Sequence, residues 1–341
     1  MTLNLFRKRN CGIDLGNNNT LIGDVNGVLV SQPSYIAFET SSNRVKAVGD
    51  AAYSMFEKTH SEVRPVKPLK GGVIADYDSA SKMIEAFVNR ANGIHSPFSR
   101  YDHIISGIPF NTTEVERRAL RDALDQFQAR QTYLLFEPLA AAMGMGLNVR
   151  APEGKMVIDI GGGITEIVVI SLSGIAAFQS IKVAGDAFDE EIQDYFRRNY
   201  NMAIGTKTAE QIKIQVGAVS ESIQQVPTPM VVKGKDLVEG IPTVRQIDHK
   251  EVACILEKSI SAIEHAIIQT LETCPPELAA DIYESGLHVT GGNALLRGLK
   301  ERFESRIKLP VHIDDEALLS VSKGVGQALR DPAKYRGVLI Q

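Results

Sequence analysis

Short apolar runs, separated by polar turns that contain glycine, open the chain and recur after position 155. The first group predicts strands over 11–15, 21–25 and 28–30. Its Asn26-Gly27 step between apolar runs is the strongest short-range signal for a β-hairpin. The second group predicts strands over 156–160, 167–172 and 175–178, with a turn at Ser173-Gly174. Both groups therefore predict the order strand, loop, strand, turn, strand.

A constant offset relates the two groups. Asp14, Gly16 and Thr20 each have an identical residue 145 positions later. Internal repetition on this scale is typical of two similar domains, although three matched positions also arise by coincidence. The repeat therefore favours a duplicated architecture without proving it.

Helical periodicity fills the intervals between the strands. Thr113 and Glu116 form a capping-box pattern, and the helix that they open is predicted to run to about Arg130. Helical spacing also covers 188–196 and 252–271, and Pro275-Pro276 ends the second of these runs. Because strands and helices alternate, the chain is predicted to be an α/β protein. The stretch 148–155, rich in Pro, Gly and charge, is the predicted domain crossing.

Composition narrows the classes of function. The 341 residues are 44% apolar and 23% charged, which suits two domains with separate cores. A net charge of −4 gives no global attraction to nucleic acid, so no nucleic-acid partner is predicted. Three widely spaced cysteines indicate reduced thiols rather than a disulfide framework. No apolar run approaches the ~20 residues that span a bilayer, and we expect a cytoplasmic protein.

Two loops at the hairpin bends carry the candidate chemistry. The first loop (14–20) offers Asp14, Gly16, Asn17, Asn18, Asn19 and Thr20. The second loop (159–165) offers Asp159, Gly161, Gly162, Gly163, Ile164 and Thr165. Glycine allows close backbone approach, and consecutive amides cradle phosphate oxygens. We therefore predict a triphosphate clamp in which Asp14 and Asp159 hold Mg²⁺ through water. For each loop alone, a tight structural turn is the alternative.

A third loop (289–296) joins a short apolar strand to a helix start through Gly291, Gly292 and Asn293. Exposed amides at a helix start bind anions or polar ligand edges, and a plain strand-to-helix turn is equally compatible. The chain contains neither a Gly-Lys-Ser/Thr phosphate loop nor a Gly-x-Gly-x-x-Gly dinucleotide fingerprint.

These motifs resemble those of a known superfamily. Asp-Leu-Gly with a following Thr, Asp-Ile-Gly-Gly-Gly-x-Thr and Thr-Gly-Gly look like the two phosphate motifs and the adenosine motif of actins, heat-shock chaperones and sugar kinases. Within that superfamily the chain resembles the MreB family over nearly its full length. The matching stretches include TEVERRA at 113–119, EPLAAA at 137–142, PPELAADI at 275–282 and LLRGL at 295–299.

The resemblance implies an actin-like α/β fold, made of duplicated ribonuclease-H-like domains with nucleotide in the interdomain cleft. Domain I would comprise 1–147 and 316–341, with a smaller subdomain at about 34–75. Domain II would comprise 148–315, with a smaller subdomain at about 187–247. The implied ligands are ATP or ADP with Mg²⁺.

The resemblance also implies residue roles. Glu137 matches the residue that positions or activates the attacking water, with Thr165 beside the reaction centre. Glu210 and Lys213 match the adenosine-contacting helix. From the residues alone, Glu137 is equally explained as a helix-start carboxylate, and Glu210 with Lys213 as a solvated charge pair.

Three departures from the family pattern affect the expected chemistry. Ile164 stands where a threonine is usual, Asn17-Asn18-Asn19 replaces Thr-Ala-Asn, and Phe136 replaces the first Glu of Glu-Glu-Pro. A hydroxyl near the reaction centre is thereby lost. We expect nucleotide binding to persist and hydrolysis to be slow.

The function implied is a slow ATPase whose subunits stack into protofilaments at the inner face of the cell membrane and organise the cell-wall synthesis machinery. Two alternatives are a small-molecule kinase of the same superfamily and a non-hydrolysing filament scaffold. Apolar residues next to cations give candidate membrane contacts. They are Leu3, Leu5, Phe6, Ile94 and Phe98. A frayed terminus and an ordinary surface loop are the alternatives.

Overall fold

Two mixed β-sheets organise the chain in the computed structural model, which describes residues 9–58, 60–92 and 101–341. Each sheet lies in its own compact unit. Unit 1 consists of Met1–Ala151, Leu172–Gly174 and Leu319–Gln341, and unit 2 of Pro152–Ser171 and Ile175–Leu318. The domain and subdomain limits implied by the resemblance stay predictions beside this division.

The strands follow in chain order. They are β1 (Arg9–Leu15), β2 (Asn19–Asp24), β3 (Gly27–Pro33), β4 (Ile36–Glu39), β5 (Val45–Val48), β6 (Val63–Val66), β7 (Leu69–Lys70), β8 (Val73–Ile74), β9 (Tyr101–Ile108), β10 (Gln131–Phe136), β11 (Lys155–Ile160), β12 (Thr165–Ser171), β13 (Gly174–Ile181), β14 (Met202–Ala203), β15 (Met230–Asp236), β16 (Pro242–Ile247), β17 (Leu287–Thr290), β18 (Val311–Ile313) and β19 (Leu339–Ile340).

The helices also follow in chain order. They are α1 (Asp50–Met55), α2 (Tyr77–Asn92), α3 (Glu114–Asp125), α4 (Glu137–Gly144), α5 (Gly185–Tyr200), α6 (Thr206–Val216), α7 (His249–Glu272), α8 (Pro276–Ser285), α9 (Leu299–Ile307) and α10 (Ser320–Arg330), with a 3₁₀ turn at Gly292–Leu295. Within the described ranges, no helix is long and apolar enough to cross a membrane.

The main sheets of the two units have matching strand orders. Unit 1 has the order β19-β10-β9-β1-β2-β3, and unit 2 has β13-β12-β11-β17-β18. In each sheet an antiparallel hairpin adjoins a parallel pair, β1 with β9 and β11 with β17. Leu15 pairs with Thr20, and Ile160 pairs with Thr165, so the hairpin registers coincide at the 145-residue offset. The predicted duplicated α/β fold is confirmed.

Each unit has its own apolar core. In unit 1, Ile13, Phe87, Ile104 and Leu124 are fully buried where helices α2 and α3 cover the sheet. In unit 2, β12 is buried along almost its whole length, and helices α5 and α7 supply further apolar side chains to its core. A strand covered on both faces has no need of polar alternation, which explains the continuous apolar run in the sequence.

One predicted helix end is wrong. The capping box that opens α3 is confirmed by two hydrogen bonds. The hydroxyl of Thr113 accepts one from the amide of Glu116, and the carboxylate of Glu116 accepts one from the amide of Thr113. The helix ends at Asp125, however, rather than near Arg130. Gln128 adopts a left-handed φ of 50°, and the amide of Arg130 donates to the carbonyl of Tyr101 at 3.0 Å. Pairing with the neighbouring strand thus overrides the helical periodicity.

Candidate functional site

The first loop bends between β1 and β2 and is held by a serine distant in sequence. The hydroxyl of Ser34 donates to the carbonyl of Gly16 at 2.6 Å. Because that uses its only hydrogen, Ser34 accepts its 2.8 Å bond from the hydroxyl of Thr20. A Cβ at Gly16 would lie 2.5 Å from the carbonyl oxygen of Asn19, so the bend requires glycine. Asp14, at the end of β1, is buried.

The three asparagines of the first loop have different surroundings. Asn17 is buried, Asn18 is partly buried and Asn19 is exposed. The side-chain oxygen of Asn18 accepts a 2.7 Å hydrogen bond from the ammonium of Lys67, and its carbonyl accepts the amide of Ser34. Sequence reasoning missed Ser34 and Lys67, because nothing near either residue signals a contact with a loop so far away in the chain.

The second loop is held mainly by backbone groups. The carbonyl of Gly161 accepts the amide of Gly185 at 3.1 Å, and the carbonyl of Gly162 accepts the amide of Asp186 at 2.7 Å. Among the residues that the structure describes, the amides of Gly162 and Gly163 have no acceptor. Two consecutive N–H groups are therefore available to an anionic ligand.

Thr165 contributes to the same attachment. Its side chain is fully buried, and its hydroxyl donates to the carbonyl of Val183 at 2.6 Å. The hydroxyl thus ties the start of β12 to the turn at 183–186. Its predicted place beside the reaction centre stays a prediction. Ile164, the preceding residue, is partly buried.

The third loop packs against the second loop within unit 2. Gly291 has a left-handed φ of 84°, and a side chain there would overlap the carboxylate of Asp159 and the carbonyl of Ile160. The side-chain amide of Asn293 donates to the carbonyl of Gly161 at 2.6 Å. Gly291 therefore permits the close approach, and Asn293 fastens the two loops together. Gly292, between them, begins the 3₁₀ turn.

Asp159 is partly exposed, and the surrounding protein removes part of the water from its carboxyl group. Burial raises its pKa from 3.8 to about 6. A desolvated carboxylate gains stability from a nearby cation, because the opposite charge compensates for the lost hydration. The chemistry of this position therefore suits a metal ion or its bound water.

Lys213 lies in a buried environment and not in the solvated one that the charge-pair alternative requires. It is buried, and its ammonium lies 2.9 Å from Oδ1 of Asp189 and donates to the carbonyl of Gly185 at 3.0 Å. The alternative of a solvated pair between Glu210 and Lys213 is therefore wrong. Sequence reasoning missed Asp189, whose position on the inner face of α5 follows the helical period of the apolar residues around it.

Glu137 begins α4 and lines a recess in unit 1 together with Leu15, Gly107 and Thr112. A Cβ at Gly107 would lie 3.3 Å from Cγ of Glu137, so glycine leaves room for this side chain. Close packing fixes the helix itself: a side chain at Gly324 of α10 would overlap the carbonyl of Ala140.

Phe136 has a packing role that explains one departure from the family pattern. Its ring meets that of Phe110 edge-on, with 4.8 Å between the ring centroids. The guanidinium of Arg117 lies over the Phe136 ring, 5.6 Å from its centroid. These two contacts give the aromatic side chain packing partners at this position.

The predicted residues fall into two groups. In unit 1, the recess that contains Glu137 is bordered by Leu15, the residue after Asp14. In unit 2, contacts connect Asp159, Gly161, Gly291 and Asn293, and extend through Gly185 to Lys213. The predicted membrane residues lie outside the described residues. They are Leu3, Leu5, Phe6, Ile94 and Phe98.

Two sheets of matching strand order, each with an aspartate near the end of the first hairpin strand and a loop directly after it, define an actin-like protein. Comparison with known proteins narrows this class. The model of the MreB/Mbl protein family matches residues 8–337. The chain belongs to the MreB/Mbl family.

Individual relatives are similar over nearly the whole chain. Mbl, a cell shape-determining protein of Bacillus subtilis (strain 168), is 39% identical over 322 residues, covering 94% of this chain and 96% of that protein. The cell shape-determining protein MreB of Escherichia coli (strain K12) is 39% identical over 326 residues, covering 93% and 92%. The crystal structure of MreB 5 of Spiroplasma citri bound to AMPPNP superposes with a TM-score of 0.90 at 35% identity, covering 96% and 97%.

Proposed function

We propose that the protein binds ATP with Mg²⁺ and assembles into filaments that help to determine cell shape. The observation that carries the proposal is the pair of hairpin loops at one register, each led by an aspartate, with two backbone amides of the second loop available to a ligand. The relatives support it, because MreB 5 of Spiroplasma citri has been crystallised with AMPPNP and with ADP.

The residues present fit a magnesium nucleotide. The amides of Gly162 and Gly163 suit phosphate oxygens, and the raised pKa of Asp159 marks a carboxylate that a cation would stabilise. Asp14 is the matched carboxylate of the first loop. Mg²⁺ keeps several waters and takes one or two carboxylates, so Asp14 and Asp159 would hold it through water. Bound there, the ion would compensate phosphate charge.

Glu137 is the proposed base for slow hydrolysis. It would accept a proton from the water whose oxygen bonds to the γ-phosphorus, while the bond to the β-phosphate oxygen breaks and ADP leaves. Its position at the start of α4, in a recess kept open by Gly107, gives the carboxylate a fixed location and room for a water. Ile164 offers no hydroxyl at the second loop, which accounts for slow turnover.

Filament formation and a cell-wall role are proposed from the relatives that are named as cell shape-determining proteins. The subunits would stack into protofilaments in the cytoplasm, at the inner face of the membrane, where they organise the cell-wall synthesis machinery. Sedimentation and electron microscopy with and without ATP test assembly. The filament is supported if phosphate release rises with protein concentration and does not change when sugars are added. If turnover of ATP depends on a sugar substrate, the kinase alternative is supported and the proposal is overturned.

Membrane attachment is proposed through two apolar segments, the first with Leu3, Leu5 and Phe6 and the second with Ile94 and Phe98. Strand register supports it, because Arg9 and Tyr101, the described residues that follow residues 1–8 and 93–100, pair with each other in the sheet of unit 1. Burying a Leu or Phe contributes roughly 1.5–3 kcal/mol and each cation about 1 kcal/mol, so a single subunit binds weakly and a filament multiplies the contacts.

Liposome flotation tests this attachment, because filaments without lipid stay at the bottom of a density gradient. The parental protein should float with anionic vesicles when ATP is present. A variant that lacks residues 2–8 and carries Ile94→Ser and Phe98→Ser should still polymerise and stay at the bottom of the gradient. Equal flotation of both proteins contradicts the membrane assignment.

A further inference from the structure

An almost fully buried ion pair connects α5 and α6 of unit 2. Nζ of Lys213 lies 2.9 Å from Oδ1 of Asp189, and the two side chains are only 8% and 3% exposed. The same ammonium donates a 3.0 Å hydrogen bond to the carbonyl of Gly185. Buried charges cost free energy unless pairing and further hydrogen bonds compensate them. The carbonyl of Gly185 is thus part of what holds this lysine in place.

Gly185 joins that ion pair to the second loop. Its amide donates to the carbonyl of Gly161, and the next amide, of Asp186, donates to the carbonyl of Gly162. A Cβ at Gly185 would lie 3.2 Å from Nζ of Lys213 and 2.8 Å from the side-chain nitrogen of Asn293. The ammonium therefore contacts the 183–186 turn directly, and the turn in turn fixes two carbonyls of the loop.

Electrostatics make the pair depend on both partners. Burial raises the pKa of Asp189 to about 6; Lys213 lowers it, and the nearby charges of Glu210 and Asp186 raise it. Without the lysine, the carboxylate faces two like charges in a desolvated site. Without the carboxylate, the lysine keeps a buried charge with a carbonyl as its remaining partner. Either loss therefore disturbs the position of Gly185.

We propose that Lys213 and Asp189 are positioning residues that hold Gly185 against the second loop and thereby fix the amides of Gly162 and Gly163. Lys213 then acts on the phosphates through the 183–186 turn. The inference rests on the proposed nucleotide function of the second loop. The same contacts connect α6 to the second loop.

Nucleotide affinities separate positioning from direct contact. The variants are Lys213→Met, Asp189→Asn and the double variant, titrated with Mg·ATP and with AMP in competition against a fluorescent ATP analogue. We expect each of the three to weaken ATP binding about tenfold, with the double variant no weaker than either single, because the residues act as one unit. AMP, which lacks the β- and γ-phosphates, should bind each variant as it binds the parent.

A matched control removes another buried ion pair of unit 2. Nε of Arg302 lies 2.6 Å from Oε1 of Glu264, and these side chains are 9% and 8% exposed. Glu264→Gln should lower the thermal midpoint as the test variants do and leave ATP affinity unchanged. If Lys213→Met weakens ATP and AMP equally while Asp189→Asn binds both normally, Lys213 contacts adenosine and the inference is overturned.

Amide hydrogen exchange of the nucleotide-free protein tests the inference independently of ATP. In Lys213→Met and Asp189→Asn, the amides of Gly185 and Asp186 should exchange at least about tenfold faster than in the parent, and in Glu264→Gln at the parental rate. Unchanged exchange overturns the inference whatever the affinities. Faster exchange in a protein that does not bind ATP supports the positioning contact and overturns the proposed function instead.

Discussion

The first and second loops share one hairpin register but are fixed by different kinds of group. In the first loop, two side chains from beyond the hairpin are anchors, since the Ser34 hydroxyl donates to the Gly16 carbonyl and Lys67 donates to the Asn18 side chain. One backbone bond, from the Ser34 amide to the Asn18 carbonyl, accompanies them. In the second loop, backbone amides of Gly185 and Asp186 hold the glycine carbonyls. The repeat therefore determines where each loop lies on its sheet, and the chain that follows each hairpin determines how it is held.

This difference changes what each loop offers a ligand. The second loop presents the amides of Gly162 and Gly163, which have no acceptor among the described residues and suit phosphate oxygens. The first loop presents polar side chains, among them the exposed Asn19. A side-chain donor adapts to its ligand, whereas a backbone amide has its direction fixed by the fold. We therefore expect the second loop to set the phosphate position and the first to adjust to it.

Removing the paired aspartates is the strongest test of this comparison. Asp14→Ala or Asp159→Ala should abolish Mg²⁺-dependent ATP binding, because each change removes a carboxylate that compensates the metal ion. Calorimetric titration with and without Mg²⁺ measures the effect. Asp24→Ala, at the far end of the first hairpin, is the control and should bind normally. Parental affinity in both loop variants would rule out nucleotide binding by the two loops.

Glu137→Gln should separate binding from turnover. Glutamine keeps the shape of the side chain in its recess but cannot accept the proton of water, so hydrolysis should fall on the order of 10²-fold while ATP affinity is retained. Single-turnover phosphate release measures the chemical step. Hydrolysis at the parental rate would leave Glu137 with only the helix-start role that the sequence also allows.

The sequence predicted those features that depend on residues close together in the chain. The hairpins, the capping box at Thr113 and the α/β class follow from neighbouring residues, and the structure confirms them. Contacts between distant segments could not be predicted in this way: Ser34, Lys67 and Asp189 carry no nearby signal of their partners. The end of α3 was misplaced for a related reason, since pairing of Arg130 with Tyr101 competes with helical periodicity.

Removing the side-chain anchor of each loop gives a smaller effect and compares the loops directly. Ser34→Ala takes the hydroxyl from the Gly16 carbonyl, and Asn293→Ala takes the amide from the Gly161 carbonyl. A lost hydrogen bond of about 1–1.5 kcal/mol corresponds to roughly tenfold in affinity. We expect Ser34→Ala to weaken ATP binding more, because two backbone bonds, from the amides of Gly185 and Asp186, still hold the second loop, whereas the first loop keeps one, from the amide of residue 34. A larger loss in Asn293→Ala would reverse the comparison.

Acid should destabilise unit 2 through a histidine that has no counterpart in unit 1. His288 pairs across the sheet with His312, whereas the matched positions of unit 1 hold Ile105 and Tyr133. Burial, with the charges of His312 and Lys155, lowers the pKa of His288 from 6.5 to about 4. Because the folded pKa lies below the unfolded one, the stability is complete above about pH 6.5 and is lost as pH falls towards 4.

Thermal unfolding at pH 7.5 and pH 5 measures this contribution. Only part of the shift is expressed between these two pH values, because the folded pKa lies near 4 and His288 is partly exposed, so the midpoint of the parental protein should fall by a few degrees. His288→Gln cannot titrate and should show a smaller fall, whatever its own midpoint at pH 7.5. His265→Gln, an exposed histidine of α7, is the control and should behave as the parent does. An equal fall in all three proteins would exclude His288 as the cause.

The smallest expected effect concerns the position at which the loops differ most in polarity. Ile164 of the second loop corresponds to Asn19 of the first at the 145-residue offset, so one loop is polar where the other is apolar. Ile164→Thr adds a hydroxyl beside the available glycine amides, and one added hydrogen bond of about 1 kcal/mol would speed phosphate release roughly fivefold. Ile164→Val is the control, because valine has nearly the same shape as threonine but no hydroxyl. It should release phosphate at the parental rate. Since both variants shorten the same side chain, equal acceleration would assign the effect to space in the loop rather than to the hydroxyl, and the slow turnover proposed for this chain would then need another cause.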